Sequence, residues 1–282
     1  MRTVIFCTLF LLSLTLFAQG TKLKNQAFSF SMGFSDLSID KFPLDKNLDF
    51  INYIESYPEY LDYITVTLGY KFDFFSRMSA DIKLILMDDI VPDNYDISVY
   101  YYINHWLGIG AGSMLNKVYI SDFEEYQIKT LPGYYIVDDN VQQFTTYDLG
   151  FYLTPAIKII NTDIFSLLIR CDLGLSSFLK KKATFYHKKV HSNERLQYHY
   201  KTTPTFQPYI QPKVEIQLRA FRIKQTAVGI LLNTSYFHSN KSINYVRDVQ
   251  NWTPDNSTQE YIHPPKHDFS RFEFSSGIFL SW

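Results

Sequence analysis

The chain is poor in cysteine. Cys7 falls in the first segment, and Cys171 stands alone in the rest. One thiol cannot close an internal disulfide, so a disulfide-built scaffold is excluded. Long hydrophobic runs are lacking too. Beyond the N-terminus no stretch approaches the ~18 consecutive apolar residues of a helical span, which excludes helical membrane spans. Net charge is almost absent, a formal -1 from 27 Lys and Arg against 28 Asp and Glu. That balance argues against a nucleic-acid binder, which is usually strongly basic. No HExxH and no Cys/His ligand spacing occurs, so no metal site and no cofactor are expected.

What is abundant is aromatic. Phe (24) and Tyr (22) lift the aromatic share to 17 %, above the level of an ordinary soluble chain. Residues 1–18 read as a secretory signal. Arg2 is the positive start, Val4 to Phe17 the apolar stretch, and Leu16-Phe17-Ala18 before Gln19 the cleavage site. The stretch is shorter than the ~20 apolar residues of an anchor, and residues 19–282 are then the mature domain.

A two-residue rhythm recurs along that domain and ends at its last residue. Counting back from Trp282, one parity gives Leu280, Ile278, Ser276, Phe274 and Phe272; the other gives Ser281, Phe279, Gly277, Ser275, Glu273 and Arg271. A strand shows one parity to each face. Ten such segments are expected, with eight to twelve compatible. They begin with Ala27–Ser35 (Phe28, Phe30, Met32 and Phe34 against Ser29, Ser31, Gly33 and Ser35). Further segments centre on Ile64–Phe72, Met78–Leu86, Tyr95–Ile103, Leu107–Leu115, Tyr147–Leu153, Phe165–Leu175, Ile210–Ala220 and Ala227–Tyr236, and the last is the C-terminal one. No charge falls on the apolar parity of any of them. A Lys or Arg on a lipid-facing position at mid-membrane costs about 2–4 kcal/mol, so this exclusion reads as a filter imposed by lipid. A soluble β-sandwich also alternates, but its apolar parity need not be so rich in aromatic ends.

Short links (near 74–76, 104–106, 161–163 and 222–224) alternate with longer ones, the longest at 36–58, 119–142, 177–203 and 237–268. Outer-membrane barrels alternate short periplasmic turns with long external loops in this way. Pro155, Pro208 and Pro212 sit awkwardly inside strands that a closed barrel must hydrogen-bond on both sides. For the last two, a bulge or a strand starting near Lys213 is expected.

The leader ending in Leu16-Phe17-Ala18-Gln19, the ten alternating segments and the terminal Phe279-Leu280-Ser281-Trp282 together resemble bacterial outer-membrane β-barrel proteins. The resemblance covers nearly the whole mature chain and is architectural, with no motif naming a subfamily. It implies an all-β, antiparallel up-and-down transmembrane barrel in the outer membrane of a Gram-negative-type bacterium. It also implies a monomer in contact with outer-membrane lipid and lipopolysaccharide. Trp282 would be the aromatic end read by the barrel-assembly machinery.

The candidate chemistry lies on the polar parity. Asp81 and Lys83, Arg170 and Asp172, Lys213 and Glu215, and Arg271 and Glu273 are opposite charges two residues apart, joined by Asp148 and Arg219. They are expected to form a cross-strand ion-pair and hydrogen-bond network filling the lumen, since barrels of about eight strands are filled by side chains and open channels need roughly 16. A small pore is the alternative. Lys180, Lys181, Lys182, His187, Lys188, Lys189 and His191 make the connection at 177–203 basic, a candidate surface for lipopolysaccharide phosphates or another anionic ligand. His187, His191, His199, His238, His263 and His267 fall in two expected external loops and read as solvated. Rim hydrolysis, needing a loop His beside Asp or Ser, is a third reading. A non-enzymatic scaffold is favoured.

Overall fold

The computed structural model describes residues 26–39, 60–87, 92–119, 134–136, 145–179, 182–189, 195–202, 205–241, 245–252, 255–262 and 267–282. The expected signal segment lies outside them. In chain order the strands are β1 (Gln26–Ile39), β2 (Tyr60–Phe75), β3 (Met78–Met87), β4 (Pro92–Tyr102), β5 (Leu107–Tyr119), β6 (Tyr134–Ile136), β7 (Thr145–Asn161), β8 (Phe165–Phe178), β9 (Lys182–Lys189), β10 (Arg195–Thr202), β11 (Gln207–Ile223), β12 (Thr226–Lys241), β13 (Tyr245–Trp252), β14 (Asp255–Ile262) and β15 (His267–Ser281).

Ten of these close into a barrel in the order β1-β15-β12-β11-β8-β7-β5-β4-β3-β2. All ten expected segments are among its staves, and every pairing is antiparallel. The first and last strands seal it, from Ala27 opposite Ser281 to Ile39 opposite Phe269. Closure leaves no free edge.

The parity of the sequence becomes the two faces of the wall. Phe30 and Met32 are 38 % and 53 % exposed, whereas Ser31 between them is 1 %. Outward Ile97, Val99, Leu153, Leu173, Ile230 and Ile278 form the middle of an apolar belt. Aromatic residues mark its rims: Tyr101, Trp106, Phe221 and Trp282 toward the termini, and Tyr147, Phe206, Tyr236 and Phe272 toward the other end. An apolar band between aromatic girdles is what a membrane-spanning barrel presents to lipid. The termini and short turns share one end, which is then periplasmic.

The prolines are absorbed without a bulge. β11 starts at Gln207, not near Lys213, and its pairing with β12 passes from Ile210–His238 to Lys213–Ser235 with the register kept. β7 does the same at Pro155, passing from Leu153–Leu173 to Ala156–Arg170 along β8. Each proline still pairs on its other side, Pro155 with Ile109 and Pro212 with Cys171. The missing N–H therefore interrupts one ladder only, and the ring faces outward.

The remaining strands form a five-stranded sheet, ordered β14-β13-β10-β9-β6. All come from segments read as plain connections. β6 lies within 119–142, β9 and β10 within 177–203, and β13 and β14 within 237–268. The physical reason is pairing between connections: β10 joins β13, and β6 joins β9, so backbone groups that one loop cannot satisfy are satisfied by another. His238 and His267 lie in barrel strands rather than loops, β12 and β15 respectively. The His238 ring stacks on outward Tyr236, centroids 6.4 Å apart.

Candidate functional site in the barrel lumen

The lumen is layered. Toward the periplasmic end Tyr100, Ala156 and Leu168 form a buried cluster with Tyr102 packed on it. The Tyr100 and Tyr102 rings stack at 6.5 Å, and Lys158 Nζ sits 3.7 Å over the Tyr102 ring. Toward the loop end Tyr209 stacks on Phe237 at 5.0 Å, and Phe269 meets Phe237 edge-on at 5.8 Å.

Glycines make room for these rings. Gly108, Gly110, Gly112, Gly174 and Gly229 each stand directly opposite an aromatic on a neighbouring strand, namely Tyr102, Tyr100, Tyr152, Tyr209 and Phe279. A Cβ added at Gly110 would lie 2.6 Å from Tyr100 Cδ1, and one at Gly229 would lie 2.5 Å from Phe279 Cε1. The rings therefore lie flat across the glycines, which is how bulky side chains fit a narrow barrel.

Between the aromatic layers lies the charge network, centred on Arg170, which is 4 % exposed. Its Nη1 donates to Asp81 Oδ2 at 3.2 Å and Tyr100 Oη at 2.8 Å, and its Nη2 to Glu215 Oε2 at 3.1 Å. β3, β4 and β11 are thus tied to β8 across the lumen. Lys213 Nζ lies 2.7 Å from Asp96 Oδ2 and 2.6 Å from Asp172 Oδ2. Tyr152 Oη donates to Asp96. Lys83 Nζ is 3.8 Å from both Asp81 and Glu215. Arg271 pairs with Glu273 at 3.0 Å, and Glu273 accepts from Ser235 Oγ at 2.8 Å.

Several of the expected residues meet across strands. Arg170 bonds Asp81 and Glu215 rather than its neighbour Asp172, and Lys213 pairs with Asp172 rather than its neighbour Glu215. Arg271 with Glu273 and, at 3.8 Å, Lys83 with Asp81 pair along one strand. Arg219 stands apart from the network: its Nη1 approaches the carbonyls of Thr162 and Asp163 in the β7–β8 turn, at 3.4 and 3.2 Å. Asp148 is buried on β7 opposite Asn116 and Phe178, toward the loop end. Asp96 and Tyr100 join the network unexpectedly. The parity Asn94, Asp96, Ser98, Tyr100, opposite outward Ile97 and Val99, is the signal that carries them.

Of the basic residues expected to bind ligand, Lys182, His187, Lys188 and Lys189 lie in β9. Lys180, Lys181 and His191 fall outside the described residues. Trp282 exchanges both backbone hydrogen bonds with Gln26, each 2.9 Å. Among the described residues no group of three His, Cys, Asp or Glu side chains is placed to hold a metal ion.

A closed ten-stranded wall, greasy outside and charged within, defines a membrane-spanning β-barrel of the outer-membrane type. No protein-family model matches the chain, and neither does any curated protein. Among solved structures it is similar to the outer membrane protease OmpT from Escherichia coli: 11 % identity, 92 % of this chain and 96 % of that one covered, TM-score 0.49. Ail, the attachment invasion locus protein of Yersinia pestis, shares 7 % identity over 90 % of this chain and 97 % of that one, TM-score 0.30. OprG from Pseudomonas aeruginosa shares 9 % over 91 % and 95 %, TM-score 0.29. No activity passes to this chain from any of them.

Proposed function

We propose that the chain is a monomeric, non-enzymatic scaffold of the outer membrane, exported with a cleaved signal. Its lumen is filled, and its work is done by the connections and the second sheet at the loop end. The observation that carries this reading is the Arg170 hub, whose guanidinium bonds side chains of three other strands in the middle of the lumen. A desolvated cation held by two carboxylates and a phenol is a crosslink that solute cannot pass without breaking it. Ten strands also lie near the filled end of barrel sizes. Outer-membrane lipid and lipopolysaccharide are the surroundings of such a scaffold, and the barrel-assembly machinery reads Trp282.

The test is single-channel conductance of the purified barrel in a planar bilayer. Correctly inserted wild-type protein is expected to be silent. Steady wild-type openings whose ion selectivity changes in Arg170→Ala or Lys213→Ala would replace the scaffold with a small pore.

A further inference from the structure

Beside the Arg170 layer the lumen holds a chamber of ≈ 80 Å³. At ~10–15 Å³ for each water, it has room for roughly five to eight waters. Its charged lining is unequal. Lys83, Arg170, Lys213 and Arg271 stand on the wall against Asp96 and Glu273, whereas Asp81, Asp172 and Glu215 do not line it.

The cations are also unequally satisfied. Lys213 is held between two carboxylates at 2.7 and 2.6 Å. Lys83 comes no nearer than 3.8 Å to either of its carboxylates, beyond hydrogen-bond reach. Arg170 is buried, yet its Nε has no acceptor. Arg271 Nε lies near Glu273 but is not aligned to donate to it, and is likewise without a hydrogen-bond acceptor. Asn233 Oδ1, also on this wall, is an orphaned acceptor, and rotating that amide presents an NH2 instead. Buried polar groups in native proteins find partners, and the residues that carry these orphaned atoms all line one half-open space.

We infer that this chamber is a binding site for a small organic or inorganic anion, a carboxylate or phosphate, taken by Lys83 and Arg271 beside the Arg170 layer. Water can satisfy the orphans singly. An anion can accept from Lys83 Nζ and Arg271 Nε, the donors that their carboxylates leave without a hydrogen bond, and charge-assisted hydrogen bonds are about twice as strong as neutral ones. The inference rests on the filled-lumen reading in one respect: the Arg170 layer makes the chamber dead-ended.

Isothermal titration of the full-chain protein in detergent, with citrate, inorganic phosphate and glucose as probes, tests it. One-site saturable binding of citrate or phosphate is expected, with none of glucose. Lys83→Met should weaken it at least tenfold while the protein keeps its heat-modifiable migration. Should that variant not refold, Lys83→Gln serves the same purpose. Saturation by neither anion, or equal affinity in the Lys83 variant, means a water-filled chamber only and overturns the site. A wild type that binds neither anion yet stays silent in bilayers loses this site and keeps the filled lumen. One that conducts loses the filled lumen whatever it binds.

Discussion

The barrel lumen and the second sheet both set like charges opposite one another, Arg170 opposite Lys213 in the first and Arg195 opposite Lys188 in the second, but in different company. In the lumen Arg170 meets Asp81 and Glu215, and Lys213 meets Asp96 and Asp172. In the β9–β10 hairpin the register sets Arg195 opposite Lys188 and Lys201 opposite Lys182. These are two like-charge rungs, although the adjoining β13–β14 hairpin sets Arg247 opposite Glu260. Like charges directly opposite are destabilising on the scale of ~0.2–1 kcal/mol where water screens them. An unpaired charge in a desolvated lumen costs several kcal/mol. The difference teaches what desolvation demands: the Arg170–Lys213 rung stands among four carboxylates, Asp81 and Glu215 on one cation and Asp96 and Asp172 on the other.

The largest expected break of this contrast is Arg170→Ala. It leaves Asp81 and Glu215 without their guanidinium, and removing one partner of a buried pair costs about 3–5 kcal/mol. Urea-dependent unfolding from lipid vesicles should show that loss. An unchanged midpoint would mean that water already fills the middle of the lumen. Gly110→Ala should cost less, about 1–3 kcal/mol, the range for overpacking. Its Cβ would lie 2.6 Å from the ring of Tyr100, whose hydroxyl oxygen accepts from Arg170. The cost should shrink in a Tyr100→Ala background, and a cost that persists there would assign it to Thr154, whose Cγ2 would lie 2.9 Å from the added Cβ, rather than to the ring.

The barrel was legible because lipid imposes a rule on single residues. Outward positions within the apolar belt are uncharged, so parity located all ten staves, from Phe28 to Trp282. The network was half legible. Parity puts Asp81, Lys83, Arg170, Asp172, Lys213 and Glu215 inside, but partners across a lumen depend on register between strands. Asp172 stands opposite Gln211 and therefore meets Lys213 diagonally, although Lys213 stands opposite Arg170. The ring-over-glycine pairs depend on the same register: Gly112 and Tyr152 are separated by a whole connection in the chain and stand opposite in the wall. The second sheet was not legible at all. Its strands mix charge into both parities and find partners in other connections, as β10 does in β13, so no local rhythm announces them.

The smallest expected effect sharpens the comparison from the other side. Lys188→Glu converts the Lys188–Arg195 rung from like to opposite charges. If the β9–β10 hairpin is screened by water, the gain is about 0.2–1 kcal/mol. It should appear as slower amide hydrogen exchange in Arg195–Thr202, with no change in the urea midpoint of the barrel. The gain should also fade as salt is raised, because the Debye length shortens from ≈ 10 Å at 0.1 M to 3 Å at 1 M. A change of several kcal/mol that salt does not touch would instead place this hairpin in a desolvated setting like the lumen. The two like-charge rungs would then demand an anion of their own.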